Sequence, residues 1–259
     1  INGENVAKLK IAWSWISTDA DVQAANSDNR MIAGATYFEC TPLMIDGVLY
    51  VTTSLGQIAA LDAGTGEMIW NFNPDSWQAG RPPNLGYISR GCAYWSDGDG
   101  EKRIYFATSD SYLYALDAET GKPTESFGAK GRADLTEGVP RATHGPGYGH
   151  PSAPVVVKDV VVVGSSISDG AARIEGIPGQ IKAYDLRTGA LRWTFNLVPQ
   201  PGEFGADTWA DGVSAVHGGA NAWSGLAVDA ERGYVYAPTS TPWMSGSRSR
   251  PRSCWNSGA

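Results

Sequence analysis

The stretch Ile181-Lys182-Ala183-Tyr184-Asp185-Leu186-Arg187-Thr188-Gly189-Ala190-Leu191-Arg192-Trp193 decides the fold. Apolar residues alternate up to Asp185, a turn closes on Thr188-Gly189, and a second run leaves with Trp193. Alternation of period two is the mark of a strand with one buried face. The Asp carboxylate can accept hydrogen bonds from backbone N–H groups of such a turn, and the glycine can take the positive φ that ends it. The segment therefore predicts a β-hairpin of fixed register. The pattern returns at 58–70, with Asp62, Gly66 and Trp70, and at 113–122, with Asp117 and Gly121. A looser copy at 226–236 carries Asp229 and Gly233.

Two further strands precede these hairpins. Thr41–Ile45 and Val48–Thr53 flank Asp46-Gly47, a strong two-residue hairpin signal. Ala153–Val157 and Val160–Ser165 flank Lys158-Asp159. The runs Val155-Val156-Val157 and Val160–Val163 are apolar without alternation, as in strands covered on both faces. Four-stranded antiparallel units of this kind fit the radially stacked blades of a β-propeller, so the fold class is all-β. Three full blades are expected at about 40–73, 90–127 and 152–196, and a fourth starts near Ala222 and breaks off near Thr241. Asp62 to Asp117 is 55 residues, Asp117 to Asp185 is 68, and Asp185 to Asp229 is 44. The longest interval places an insertion at Gly128–Gly149, a Gly- and Pro-rich stretch expected to be a loop on a functional rim. A first strand around Val6–Trp15 has no blade of its own.

Composition narrows the function classes. The net charge is −7, which argues against nucleic acid as a partner, because phosphate binding needs a basic face. Cys40, Cys92 and Cys254 have no metal-site spacing, and their odd number is no disulfide framework. No apolar run approaches the roughly 18 residues of a membrane helix. The start Ile1-Asn2-Gly3-Glu4 is neither an initiator methionine nor a signal peptide, so a mature product or a piece of a longer chain is expected. A propeller ring closes with about four to eight blades. About three and a half are present, so residues 1–242 read as a partial propeller and 243–259 as an unstructured or aberrant tail.

The aligned Asp-x-x-Thr-Gly-x-x-x-Trp units resemble the tryptophan-docking repeats of the quinoprotein dehydrogenases, which use pyrroloquinoline quinone (PQQ). The opening Asn5-Val6-Ala7-Lys8-Leu9-Lys10-Ile11-Ala12-Trp13-Ser14-Trp15 is similar to the start of that family. The resemblance covers about residues 1–242 and implies the N-terminal part of an eight-bladed propeller, in which the first strand completes the last blade. Arg90-Gly91-Cys92-Ala93-Tyr94 resembles the family's Arg-Gly-x-x-Tyr segment, whose arginine pairs with the cofactor. That fits, because PQQ carries three carboxylates and a guanidinium binds carboxylate bidentately. Glu39, before Cys40-Thr41-Pro42, matches a polar cofactor contact that is often Glu or Gln. Gly164-Ser165-Ser166-Ile167-Ser168-Asp169-Gly170 resembles the Gly-Ser loop that contacts the quinone and gives a carboxylate to the metal. Ser165 and Ser166 are thus implied cofactor contacts and Asp169 an oxygen ligand of a hard cation, calcium or magnesium. Gly218-Gly219-Ala220-Asn221-Ala222-Trp223 is similar to the segment whose tryptophan floors the cofactor ring, and Thr241 falls where the family places a further metal ligand. Trp70 and Trp193 are assigned to blade packing, and His144, His150 and His217 to loops or the rim.

The resemblance implies oxidation of an alcohol or sugar CH–OH group, with electrons passed to a quinone or cytochrome. It also implies a periplasmic location, with possible attachment to the inner membrane through parts not present. The family's alcohol dehydrogenases carry adjacent cysteines before the arginine. Here that stretch is Asn84-Leu85-Gly86-Tyr87-Ile88-Ser89, which favours the glucose dehydrogenase-like branch. Gly86, however, stands where the glucose enzymes tend to have a histidine. The family's base, an aspartate in a later blade, has no match, so the chain alone is expected to be an inactive fragment. The alternative is a non-enzymatic propeller scaffold with the same repeats, of the outer-membrane assembly type.

Overall fold

A computed structural model describes residues 1–35, 37–84, 86–168, 175–209 and 218–240. Three four-stranded antiparallel sheets follow one another along the chain. The first holds β1 (Leu43–Ile45), β2 (Val48–Thr52), β3 (Ile58–Asp62) and β4 (Met68–Phe72). The second holds β5 (Ala93–Ser96), β6 (Lys102–Ala107), β7 (Tyr112–Asp117) and β8 (Arg132–Asp134). A short β9 (Tyr148–Gly149) precedes the third, which holds β10 (Val155–Val157), β11 (Val160–Gly164), β13 (Gln180–Asp185) and β14 (Leu191–Asn196). β12 (Ser166–Ile167) leaves the blade to pair with β9. The apolar runs are covered on both sides, as expected. Val161 and Val163 pack towards the second sheet with Tyr105, Leu113 and Phe127, while Val160 and Val162 pack the other way with Leu226, Val228 and Val235.

The repeat turn forms as its sequence predicts. Asp62 Oδ1 accepts from Gly64 N (2.9 Å) and Thr65 N (2.7 Å), and Asp185 Oδ1 accepts from Arg187 N (3.0 Å) and Thr188 N (2.8 Å). These bonds favour the charged carboxylate and hold Asp62 below its ordinary pKa, the Thr65 backbone bond first. The tryptophan of one blade then docks on the turn of the next. Trp70 Nε1 donates to Ala118 O (3.1 Å), and a Cβ on Gly121 (φ +70°) would lie 2.6 Å from the Trp70 ring. Only glycine leaves that space.

Three expectations are corrected. The 6–15 segment is no strand: Val6–Lys8 is a 3₁₀ turn. Trp13 nevertheless docks as Trp70 does, donating to Ala63 O at 3.1 Å over Gly66. The second blade does not end at 127, because β8, inside the expected insertion, is its fourth strand. It brings no tryptophan, and Phe127 with Gly128 takes the docking place: Gly128 N donates to Thr188 O (2.8 Å) beside Gly189. The 226–236 copy is not a second hairpin. It forms β15 (Ala227–Asp229) and β16 (Tyr234–Tyr236), and β15 packs beside β10 as β10 packs beside β5. Gly233 therefore abuts Lys158, in the β10–β11 turn, so Asp229 caps the first hairpin of its blade. His150, expected in a loop or on the rim, does lie outside the strands, between β9 and β10, and is buried there.

Candidate functional site

The hairpin turns lie together at one end of the blades, where Ala63 N donates to Gly47 O (2.8 Å). Segments entering each first strand, and those leaving each second strand, therefore share the opposite rim. A line of hydrogen bonds stitches that rim from blade to blade. Thr41 N donates to Arg90 O (3.1 Å), Arg90 N to Pro151 O (2.9 Å), and Ser152 Oγ to Ala222 O (3.0 Å). One residue before each first strand is thereby fixed relative to its neighbours.

Glu39, Arg90, Ser166 and Trp223 come from four successive blades. Arg90 Nη2 pairs with Glu39 Oε2 at 2.6 Å, and Arg90 Nη1 donates to the Trp223 carbonyl at 3.3 Å. The guanidinium carbon stands 4.9 Å from the Trp223 ring centre. Trp223 as a whole is 42% exposed. A cleft of about 220 Å³ opens here, bounded by Arg90, Trp223 and Ser166, with Pro83, Ile88 and Pro151 as apolar walls. Glu39 reaches this cleft through Arg90.

Ser166 lines the cleft, and its hydroxyl accepts from Asn84 Nδ2 at 3.3 Å. Ser165 stands behind it, fully buried, accepting from Gln180 N at 2.8 Å. The structure does not bring the Ser165 hydroxyl to the cleft. Asp169 and Thr241, the expected metal ligands, lie outside the described residues, as do His217, Cys254 and the 243–259 tail. Among the described residues no group of three His, Cys, Asp or Glu side chains is placed to hold a metal ion. Cys40 and Cys92 are free thiols, and burial raises the pKa of both. No helix among these residues is long and apolar enough to cross a membrane.

Several positioning residues escape a reading of the sequence. Asn84, at φ +59°, donates to Ile167 O (2.8 Å) and forms part of the cleft wall. Asn221 is 1% exposed and presents Oδ1 to Ile167 N at 2.5 Å, tying the Trp223 segment to the Ser166 segment. Gly164 permits that approach, since a Cβ there would lie 2.1 Å from Ala222 O. For Asn84 the available signal was an Asn following Pro82-Pro83, because Asn tolerates left-handed backbone.

The arrangement suits a flat anion: one guanidinium for a carboxylate, hydroxyl and amide groups at the edge, and an indole face with apolar walls for a ring. The Arg90 guanidinium lies over that face while paired with Glu39.

The family model described as "PQQ: Glucose/ethanol/alcohol dehydrogenase, beta-propeller domain" matches residues 1–251. Quinoprotein glucose dehydrogenase A of Acinetobacter calcoaceticus is 31% identical over 92% of this chain and 30% of its own length. The dehydrogenase subunit of alcohol dehydrogenase (quinone) of Gluconobacter oxydans is 33% identical over 78% of this chain and 23% of its own length. The crystal structure of quinohemoprotein alcohol dehydrogenase from Comamonas testosteroni superposes with a TM-score of 0.61 at 28% identity. It covers 78% of this chain and 29% of that one. The chain thus spans about a third or less of the length of the curated relatives it matches. Glucose and alcohol enzymes match about equally well, so the comparisons do not separate the two branches.

Proposed function

The chain belongs to the PQQ-dependent glucose/ethanol/alcohol dehydrogenase β-propeller family, and from that premise we propose that its rim is one side of a PQQ site for oxidising alcohol or sugar CH–OH groups. The observation that carries the proposal is the meeting of Arg90, Ser166 and Trp223, from three blades, at one cleft. When bound, PQQ supplies the acceptor for a hydride equivalent from the substrate carbon. Arg90 holds a cofactor carboxylate, and its pairing with Glu39 fixes the guanidinium plane. Trp223 gives the ring a floor. Ser166, kept in place by Asn84, offers a hydroxyl at the edge, while Ser165 braces the loop from behind.

Asp169 and Thr241 are the proposed oxygen ligands of calcium or magnesium. Electrons leave to a quinone or cytochrome, and the enzyme works in the periplasm. The lack of a cysteine pair at 84–89 favours a sugar substrate over a simple alcohol. No residue here matches the family's base, so this chain binds cofactor without turnover.

The test is titration of the 259-residue chain with PQQ, with and without calcium, following tryptophan fluorescence. Saturable quenching that strengthens with calcium is expected. No quenching in either condition returns the chain to a propeller scaffold. Measurable substrate oxidation by this chain alone refutes the assignment of the base to another part of the protein.

A further inference from the structure

Beneath the cleft lies a second cavity, of about 20 Å³, that the cofactor reading leaves unused. Pro83, Ile88, Pro151 and Ser166 line both spaces, so they form the wall between them. The lining of the small cavity also includes the polar residues Ser54, Ser89, Ser109 and His150. His150 is 6% exposed, and its Nδ1 lies 2.9 Å from the Gly164 carbonyl oxygen. A carbonyl only accepts, so Nδ1 carries the proton and Nε2 presents a lone pair. Nε2 is buried and has no hydrogen-bond partner among the described residues.

A buried acceptor without a donor destabilises the structure around it. None of the hydrogen bonds made by the lining serines reaches it. Ser54 Oγ donates to Tyr37 O (2.8 Å), Ser89 Oγ to Thr52 Oγ1 (3.0 Å) and Ser109 Oγ to Ser76 Oγ (3.2 Å). Their oxygens keep free lone pairs. His150 Nε2 therefore calls for a donor, which a guest with an O–H group supplies. The volume suits one such group, since a water needs roughly 10–15 Å³.

We propose that His150 and the surrounding serines form a binding site for a single hydroxyl-donating guest, either one water or the hydroxyl end of a methanol-sized alcohol. The guest donates to His150 Nε2 and to a serine oxygen. It makes His150 a positioning residue for the cleft wall, because the other ring nitrogen holds Gly164, two residues before Ser166. Burial keeps the ring neutral, pushing its pKa down to about 4, with the Lys182 charge adding a little and the Gly164 bond opposing. The acceptor therefore persists at neutral pH. This site stands on cavity geometry and does not depend on the quinone reading.

The experiment is a high-resolution crystal structure of the 259-residue chain, in plain buffer and after a methanol soak, with long-range ¹H–¹⁵N spectra of His150. One oxygen at roughly 3 Å from Nε2 is expected. The Nδ1–H tautomer should stay unchanged between about pH 5 and 8. Two-atom density after the soak identifies an alcohol site, and unchanged density identifies water. H150Q keeps a donor for Gly164 and an acceptor for the guest, whereas H150L keeps neither. PQQ affinity should fall roughly tenfold in H150L and stay near wild type in H150Q. A dry cavity, or a proton on Nε2, overturns the site; equal PQQ affinity in H150L and wild type overturns the positioning role. If wild type binds no PQQ, the cofactor reading fails while the density at Nε2 still decides this one.

Discussion

Replacing Gly121 with alanine tests tryptophan docking, the interaction that joins one blade to the next. Two costs add. A non-glycine residue at φ +70° costs about 1–2 kcal/mol of backbone strain. The new Cβ would also lie 2.6 Å from Trp70 Cδ2 and Cε3, and relieving such overpacking costs about 1–3 kcal/mol. Gly202 supplies the control: its φ is +90°, and nothing stands within 4 Å of its ideal Cβ. G202A should therefore show the backbone cost alone. Urea unfolding followed by tryptophan fluorescence should place G121A below G202A by about 1–3 kcal/mol. In a W70A background the difference should vanish, since the clashing ring is gone. Equal losses in G121A and G202A, or a difference that survives in W70A, would refute the docking argument.

Three further outcomes follow from the rim. R90A should weaken PQQ binding by about 10- to 100-fold and R90K by less, because lysine keeps the charge without the bidentate fork; unchanged titrations in R90A remove Arg90 from the site. N221A strips Ile167 N of its partner and should cost about 1–3 kcal/mol of stability while loosening Ser166 from Trp223, measurable as both a lower Tm and weaker PQQ quenching. His150 makes stability depend on pH. The unfolded ring takes its proton near pH 6.5 and the folded one near 4, so stability is full above 6.5 and declines by about 3 kcal/mol as pH falls towards 4. Urea midpoints across that range should show this decline in wild type and a flatter profile in H150Q; parallel profiles would assign it to other groups.

Features carried by turn chemistry are legible in the sequence. Asp46-Gly47 turns with both residues at positive φ, and the Asp-x-x-Thr-Gly turns close on their carboxylates. The valine runs are covered on both faces. What escaped depends on partners distant in sequence. Asp229 caps its turn as Asp185 does, with Oδ1 accepting from Arg232 N at 2.9 Å. Whether that turn joins the first or the third strand of a blade is set by the neighbouring sheet, which local pattern cannot encode. β8 was hidden in a Gly-rich stretch because Arg132–Asp134 is too short to show a period. At the site, the motif residues Glu39, Arg90, Ser166 and Trp223 were legible from their resemblance, and the structure gathers them. Asn84, Asn221 and His150 were not, since each matters through a backbone group of a segment distant in sequence.

The most direct measurement is a crystal structure of the chain with PQQ. The account predicts the ring system stacked on Trp223, one carboxylate at roughly 3 Å from the Arg90 guanidinium, and Ser166 at its edge. PQQ bound elsewhere, or a Trp223 face still covered by Arg90 at saturating cofactor, would contradict it.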